Sequence, residues 1–250
     1  MKTNRKDRIE RSNYSSIDLG SLLIVLILVM GLVDAAKITV GPLDEDYSQI
    51  QKAIANSSNG DVIEVHSGTY KERLKVVKAV SLIGLDTGDG LPVINASGSS
   101  NSITLMANGS TVKGFNLTGS GHCGCGSAGI QVASSNNTVL ENIIYKNKYG
   151  IYVKPENFNN TFVSNDLLQN EIEAYDPGNN SWNSSLKAEG LQKLVELVVG
   201  KQMKGNHYSD YDEPKEGCND TNEDGFCDLP KKIDGGNSVD LYPSFSKGNS

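Results

Sequence analysis

The sequence predicts an all-β protein: a parallel β-helix of about five coils, with an N-terminal capping helix and a C-terminal helix plus an Asp-rich loop. Three observations carry this reading. Gly accounts for 26 of 250 residues and aromatics for 6%, which suits short strands and tight turns better than a helical bundle. Short runs alternate apolar and polar residues, as in Ile63-Glu64-Val65 and Ile151-Tyr152-Val153, with Gly, Asn and Ser between them. The runs also repeat. Asn137-Thr138-Val139-Leu140-Glu141-Asn142 matches Asn160-Thr161-Phe162-Val163-Ser164-Asn165 at an offset of 23, and residues 129–132 match 150–153 at an offset of 21. Further upstream, Val80-Ser81-Leu82-Ile83-Gly84 resembles Thr111-Val112-Lys113-Gly114-Phe115. A period of this length with several short strands fits one solenoid coil. A leucine-rich repeat needs Leu-x-x-Leu-x-Leu, which is absent, and a propeller blade needs about 40 residues.

The elements follow in chain order. Residues 1–36 read as a signal peptide, with Lys2, Arg5, Lys6, Arg8 and Arg11, then an apolar run over 22–33, then Asp34-Ala35-Ala36. The run is short for a spanning helix, which needs about 20 residues, so cleavage near Ala35 or Ala36 is expected, with an uncleaved membrane anchor as the alternative. Removing five basic and four acidic residues leaves 18 and 26, a net charge of -8. Such a balance excludes a nucleic-acid partner, which requires a basic face. Residues 37–183 form the β-helix domain. Within it Ser48 is the expected cap of a helix that buries Ile50, Ala53 and Ile54, ends by Gly60 and covers the open edge of the first coil. Residues 184–204 read as an amphipathic helical insertion, because Leu191, Leu194, Val195 and Val198 share a face of a helix over 187–203. Residues 205–250 form an Asp-rich C-terminal segment.

Two end motifs resemble a known family. Near the start these are Asp46-Tyr47-Ser48-Gln49-Ile50-Gln51-Lys52-Ala53-Ile54, Gly60-Asp61-Val62-Ile63-Glu64-Val65 and Gly68-Thr69-Tyr70. Near the end they are Gly205-Asn206-His207-Tyr208-Ser209-Asp210-Tyr211 and the stretch 233–243. Together they are similar to NosD-like β-helix proteins, also described as having a carbohydrate-binding and sugar-hydrolase type repeat. His207-Tyr208 replaces the family's Tyr-Trp, and 184–204 has no counterpart. The resemblance implies a right-handed, pectin-lyase-like solenoid in a secreted, periplasmic or cell-surface protein. The family takes its name from a periplasmic protein linked to copper-site maturation of nitrous oxide reductase, so copper enters as an expectation.

Candidate chemistry is concentrated in three places. Asp220, Asn222 and Asp224, the Phe226 carbonyl and Asp228 follow the spacing of the front of an EF-hand-type loop, with Gly225 at its sharp turn. Calcium is the expected ion. Position 12 is Lys231, so Asp212, Asp234 or Asp240 must complete the shell. Cys218 and Cys227 bracket this loop and, in an exported chain, are expected to form a disulfide. The second place is His122-Cys123-Gly124-Cys125, which interrupts the repeat. His122, Cys123 and Cys125 suit copper or zinc, with His207 or His66 as a fourth ligand, and disulfides are the competing use of the thiols. The third is the last coil, where Asp166, Glu171, Glu173 and Asp176 gather. A lyase needs a strong base beside carboxylates, but Arg73 is the lone arginine after residue 36. An inverting hydrolase needs two carboxylates set a water's width apart. Nine Asn-x-Ser/Thr sequons follow residue 36, so an exported chain would be open to glycosylation. The combined expectation is a secreted or surface-attached, non-enzymatic binding or structural module, stabilised by calcium, with an envelope glycan or another surface protein as partner. A polysaccharide-active enzyme and an envelope copper-handling protein are the alternatives.

Overall fold

A strand of three or four residues buries one or two side chains, so only stacking on identical neighbours gives it a core. The computed structural model describes residues 35–43, 45–121, 126–184 and 204–245. The signal segment up to Asp34, the site at His122, Cys123 and Cys125, and the helix expected over 187–203 lie outside the described residues.

The described residues open with β1 (Lys37–Val40) and α1 (Ile50–Asn56). Five coils of three strands follow: β2 (Val62–Val65), β3 (Thr69–Tyr70) and β4 (Leu74–Val76); β5 (Ser81–Gly84), β6 (Val93–Asn95) and β7 (Ile103–Leu105); β8 (Thr111–Lys113), β9 (Asn116–Thr118) and β10 (Ala128–Val132); β11 (Thr138–Leu140), β12 (Ile143–Tyr145) and β13 (Tyr149–Val153); β14 (Thr161–Val163), β15 (Asp166–Leu168) and β16 (Ile172–Tyr175). Strand β17 (His207–Tyr208), a 3-10 turn (Pro214–Glu216) and the hairpin of β18 (Lys231–Lys232) and β19 (Val239–Asp240) complete the order. Three parallel sheets result. The first runs β1-β2-β5-β8-β11-β14, the second β3-β6-β9-β12-β15-β17 and the third β4-β7-β10-β13-β16.

The solenoid has about six turns, one more than the repeat arithmetic suggests, because the sixth is assembled from three separated pieces. Ser181 extends the first sheet beside Thr161, β17 extends the second beside β15, and Asp234 extends the third beside Tyr175. The connection at 184–204 leaves and returns at one point: Ser184 N–H donates to the Lys204 carbonyl at 2.8 Å, and Lys204 N–H donates to Ser184 Oγ at 2.8 Å.

Alternation sets the register. Ile130, Gln131 and Val132 lie beside Ile151, Tyr152 and Val153, and Thr138 lies beside Thr161, as the offsets require. Upstream the match slips by one residue: Ser81, not Val80, pairs with Thr111, and Gly84 lies against Gly114. The shift is forced, since a one-residue slip would turn Leu82 and Val112 to opposite faces. Inward columns run Ile63-Leu82-Val112-Val139-Phe162 on the first sheet and Tyr70-Ile94-Leu117-Ile144-Leu167-Tyr208 on the second, all buried. Each such side chain stabilises the fold by about 1.5–3 kcal/mol. Trp182 ends the first column, stacked on Phe162 at 4.3 Å and fully buried.

Helix α1 buries Ile50, Ala53 and Ile54 against the first coil, as expected. Ser48 does not cap it. Gln49 holds the N-cap position without a side-chain bond, and the carboxylate of Glu72 accepts Ile50 N–H at 3.0 Å and Gln51 N–H at 2.9 Å. An anion at a helix N-terminus satisfies orphan amides and meets the positive end of the helix dipole.

Candidate functional site

The corners of the coils explain why so many polar residues are buried. At the corners of the fourth and fifth coils a residue with positive φ is followed by one whose side chain points inward. Glu141 (φ 54), Lys146 (φ 53) and Asn136 (φ 60) precede Asn142, Asn147 and Asn137 in the fourth coil; Ser164, Gln169 and Asn159 precede Asn165, Asn170 and Asn160 in the fifth. The inward amides form three ladders parallel to the solenoid axis. In each rung a side-chain oxygen accepts the backbone N–H and the Nδ2 group of the coil before it. Asn137 donates to Asn160, and Asn160 to Asn180, at 2.9–3.0 Å. Asn142 donates to Asn165, and Asn165 to Asn206. Asn147 donates to Asn170.

Because every rung donates in the same direction, the last one needs a group that only accepts. A carboxylate meets that need. Asn180 Nδ2 donates to Asp176 at 2.8 Å, Asn206 N–H and Nδ2 to Asp240 at 2.7 and 3.1 Å, and Asn170 Nδ2 to Glu173 at 2.5 Å. Asp176 also accepts Trp182 Nε1 at 3.0 Å, Ser238 Oγ at 2.6 Å and Gly178 N–H at 2.9 Å. Asp240 accepts Tyr208 OH and Tyr242 N–H, both at 3.0 Å, and burial pushes its pKa up to about 6 against those hydrogen bonds. Burial likewise raises Glu173, opposed by its bonds to Ser209 and Asn170. Two of the four acids expected to gather at the last coil, Glu173 and Asp176, therefore face inward as ladder ends. Glu171 is exposed, and Asp166 lies on the outer face. The roles of Glu173, Asp176 and Asp240 are missing from the sequence reading. For Asp176 and Glu173 the sequence signal is an acid four or three residues from the last Asn of the corner series, whereas Asp240 lies 34 residues from Asn206 and carries no local signal.

On that outer face His207 stands between two carboxylates, with Nε2 at 3.3 Å from Asp212 and Nδ1 at 3.9 Å from Asp166. Partial burial raises both acids, and His207 opposes the rise. His66 Nδ1 lies 2.8 Å from Glu45, whose pKa is lowered chiefly by that bond. Both imidazoles thus have carboxylate partners. The flanks of the His122–Cys125 stretch lie between β9 and β10 in the third coil, whereas His207 belongs to the sixth, three strand spacings or about 14 Å away. His66 precedes β3 in the first coil. Neither is placed beside those flanks as a fourth ligand.

The Asp-rich loop is closed by the Cys218–Cys227 disulfide, with the Cα atoms 4.8 Å apart. Inside it Asp220 accepts the N–H groups of Asp224 and Gly225, each at 3.0 Å, and Asn222 accepts Asp224 N–H at 3.1 Å. Asp224 accepts Phe226 N–H at 2.9 Å, and Asp228 accepts Thr221 Oγ1 at 2.9 Å. Gly225 takes φ +89 at the turn. The residues wrap as an EF-type loop front does, but Asp212 and Asp240, two of the residues expected to complete a calcium shell, are engaged by His207 and Asn206. Among the described residues no group of three His, Cys, Asp or Glu side chains is arranged to hold a metal ion. They therefore offer no fit for copper: both cysteines are oxidised and both histidines are paired.

A tyrosine cluster lies on the third sheet. Tyr152 and Tyr175 stack at 5.1 Å, and Tyr149 meets them edge-on at 5.0 and 5.9 Å. Glycines close both ends of the stack. A Cβ on Gly126 would lie 2.9 Å from Tyr152, and one on Gly235 would lie 2.8 Å from Tyr175.

No helix among the described residues is long and apolar enough to cross a membrane. A family model described as periplasmic copper-binding protein (NosD) matches residues 85–213, from the second coil into the sixth. No curated protein and no solved structure matches the chain.

Proposed function

Since the chain belongs to the NosD family, described as periplasmic copper-binding, we propose that it acts outside the cytoplasm as a non-enzymatic binding and structural module of the cell envelope. The observation that carries the reading is the use made of the acidic side chains at the last coil. Acid–base catalysis on a glycan requires carboxylates within reach of the ligand. Glu173, Asp176 and Asp240 are instead buried acceptors at the ends of ladders. What remains outward, besides Glu171 and the Asp166, His207 and Asp212 group, is a continuous parallel-sheet surface, suited to contact an extended partner such as envelope glycan or another surface protein. Calcium in the loop of Asp220, Asn222, Asp224, Phe226 and Asp228 belongs to the same reading as a structural ion.

The test uses the full chain with envelopes isolated from its native cells. Saturable co-sedimentation without release of soluble sugar supports the reading, and release of oligosaccharides overturns it in favour of a polysaccharide-active enzyme. In parallel, EDTA should lower the melting temperature and millimolar calcium restore it. A melting temperature indifferent to both removes calcium.

The family description favours one second reading, copper handling through His122, Cys123 and Cys125. Under reducing conditions it requires one-to-one Cu(I) binding that is lost in the Cys123→Ser, Cys125→Ser double variant.

A further inference from the structure

We propose that the corner between the third and first sheets is a glycosylation stripe, with Asn136, Asn159 and Asn179 as acceptor sites of which one or two are occupied on any one chain. Each begins an Asn-x-Ser/Thr sequon, completed by Thr138, Thr161 and Ser181. The pairing of Thr138 with Thr161, and of Thr161 with Ser181, puts the three asparagines in register on consecutive coils. All three are exposed, while the next residues, Asn137, Asn160 and Asn180, are the buried ladder rungs. Each Asn-Asn pair thus splits its labour, one amide inward and one outward.

Three of the other six sequons are placed differently, and Asn108, exposed at the same corner one coil earlier, accepts Ser135 N–H at 2.8 Å. Asn183 is only 6% exposed. Asn95 accepts Ser97 N–H, and the amide nitrogen of Asn116 donates to the Leu91 carbonyl.

Backbone geometry does not account for the stripe. Asn136 and Asn159 have positive φ, where Asn is tolerated, but Asn179 does not. At the other two corners the same left-handed position holds Glu141, Lys146, Ser164 and Gln169. Asn recurs at this corner alone, and on each coil it is followed two residues on by an outward hydroxyl.

The donor is a lipid-phosphate-linked oligosaccharide, used by a transferase of the host. The side-chain nitrogen forms a bond to the anomeric carbon and loses a proton. The bond from that carbon to the lipid phosphate oxygen breaks, and the lipid phosphate leaves with the electron pair. Neighbouring coils are about 4.8 Å apart, which crowds glycans on adjacent rungs, whereas Asn136 and Asn179 are two spacings apart.

The proposal rests on the extracytoplasmic reading, and one experiment separates the two. The full chain is purified from fractionated native cells, and its intact mass and glycopeptides are measured. The expected result is one or two glycans per chain, mapped to Asn136, Asn159 or Asn179 and absent from Asn183. Thr138→Ala, Thr161→Ala and Ser181→Ala should each abolish modification at one site while leaving the ladder asparagines in place. Unmodified stripe peptides from an extracytoplasmic chain overturn the proposal alone. Unmodified peptides from a cytoplasmic chain overturn both readings.

Discussion

Lys146 and Glu141 sit where glycine is the ordinary choice, because a left-handed backbone costs a residue bearing a Cβ about 1–2 kcal/mol. The ladder amide that follows each of them holds the corner in place. Lys146 is exposed, so Lys146→Gly should relieve this strain. The greater freedom of glycine in the unfolded chain offsets part of the gain, leaving about 0.5 kcal/mol of added stability, visible as a higher urea midpoint. Asp240 sets a pH dependence. Its folded pKa is raised from 3.8 to about 6, so folding binds a proton between those values. The contribution of this group is full below about pH 4, falls as pH rises through 6, and is lower by about 3 kcal/mol above that. In Asp240→Asn the titration is gone. The stability of the parent minus that of the variant should therefore fall between pH 4 and pH 7, measured by denaturant unfolding at each pH.

Strands and corners depend on neighbours in sequence, and they were legible for that reason. Ile151-Tyr152-Val153 shows its alternation within three residues, and the 23-residue offset places Asn137 over Asn160. The helix cap was not legible, because Glu72 belongs to the first coil while Ser48 sits in the familiar local position. The sixth coil was hidden for a similar reason: Asn165 meets Asn206 across 41 residues, with the insertion between them. Glu173 and Asp176 read as candidate catalytic acids, and Asp240 as a candidate calcium ligand, because composition cannot show which way a side chain points. At the Asp-rich loop, sequence and structure agree on the disulfide and leave the ion to experiment. Replacing Cys218 and Cys227 together by Ser should cost about 2–3 kcal/mol, the entropy of closing a loop of about ten residues, read from the denaturation midpoint.

The molecule is a stack whose two ends differ. At the N-terminal end α1 covers the first coil. At the C-terminal end Trp182, Tyr208, Asp176 and Asp240 form a hydrogen-bonded plug over the aliphatic columns. Trp182→Ala removes the stacked ring and leaves a hole in that plug, so it should cost about 3–5 kcal/mol and expose apolar surface to a dye such as ANS. The sixth coil takes its strands from residues 181, 207–208 and 234, and its ladder ends need Ser238 and Asp240. The fold thus inspects its own length. A chain cut short by a premature stop or a proteolytic nick would still wind its first coils, yet it would display naked sheet edges and unanswered amides to every quality-control protease it met.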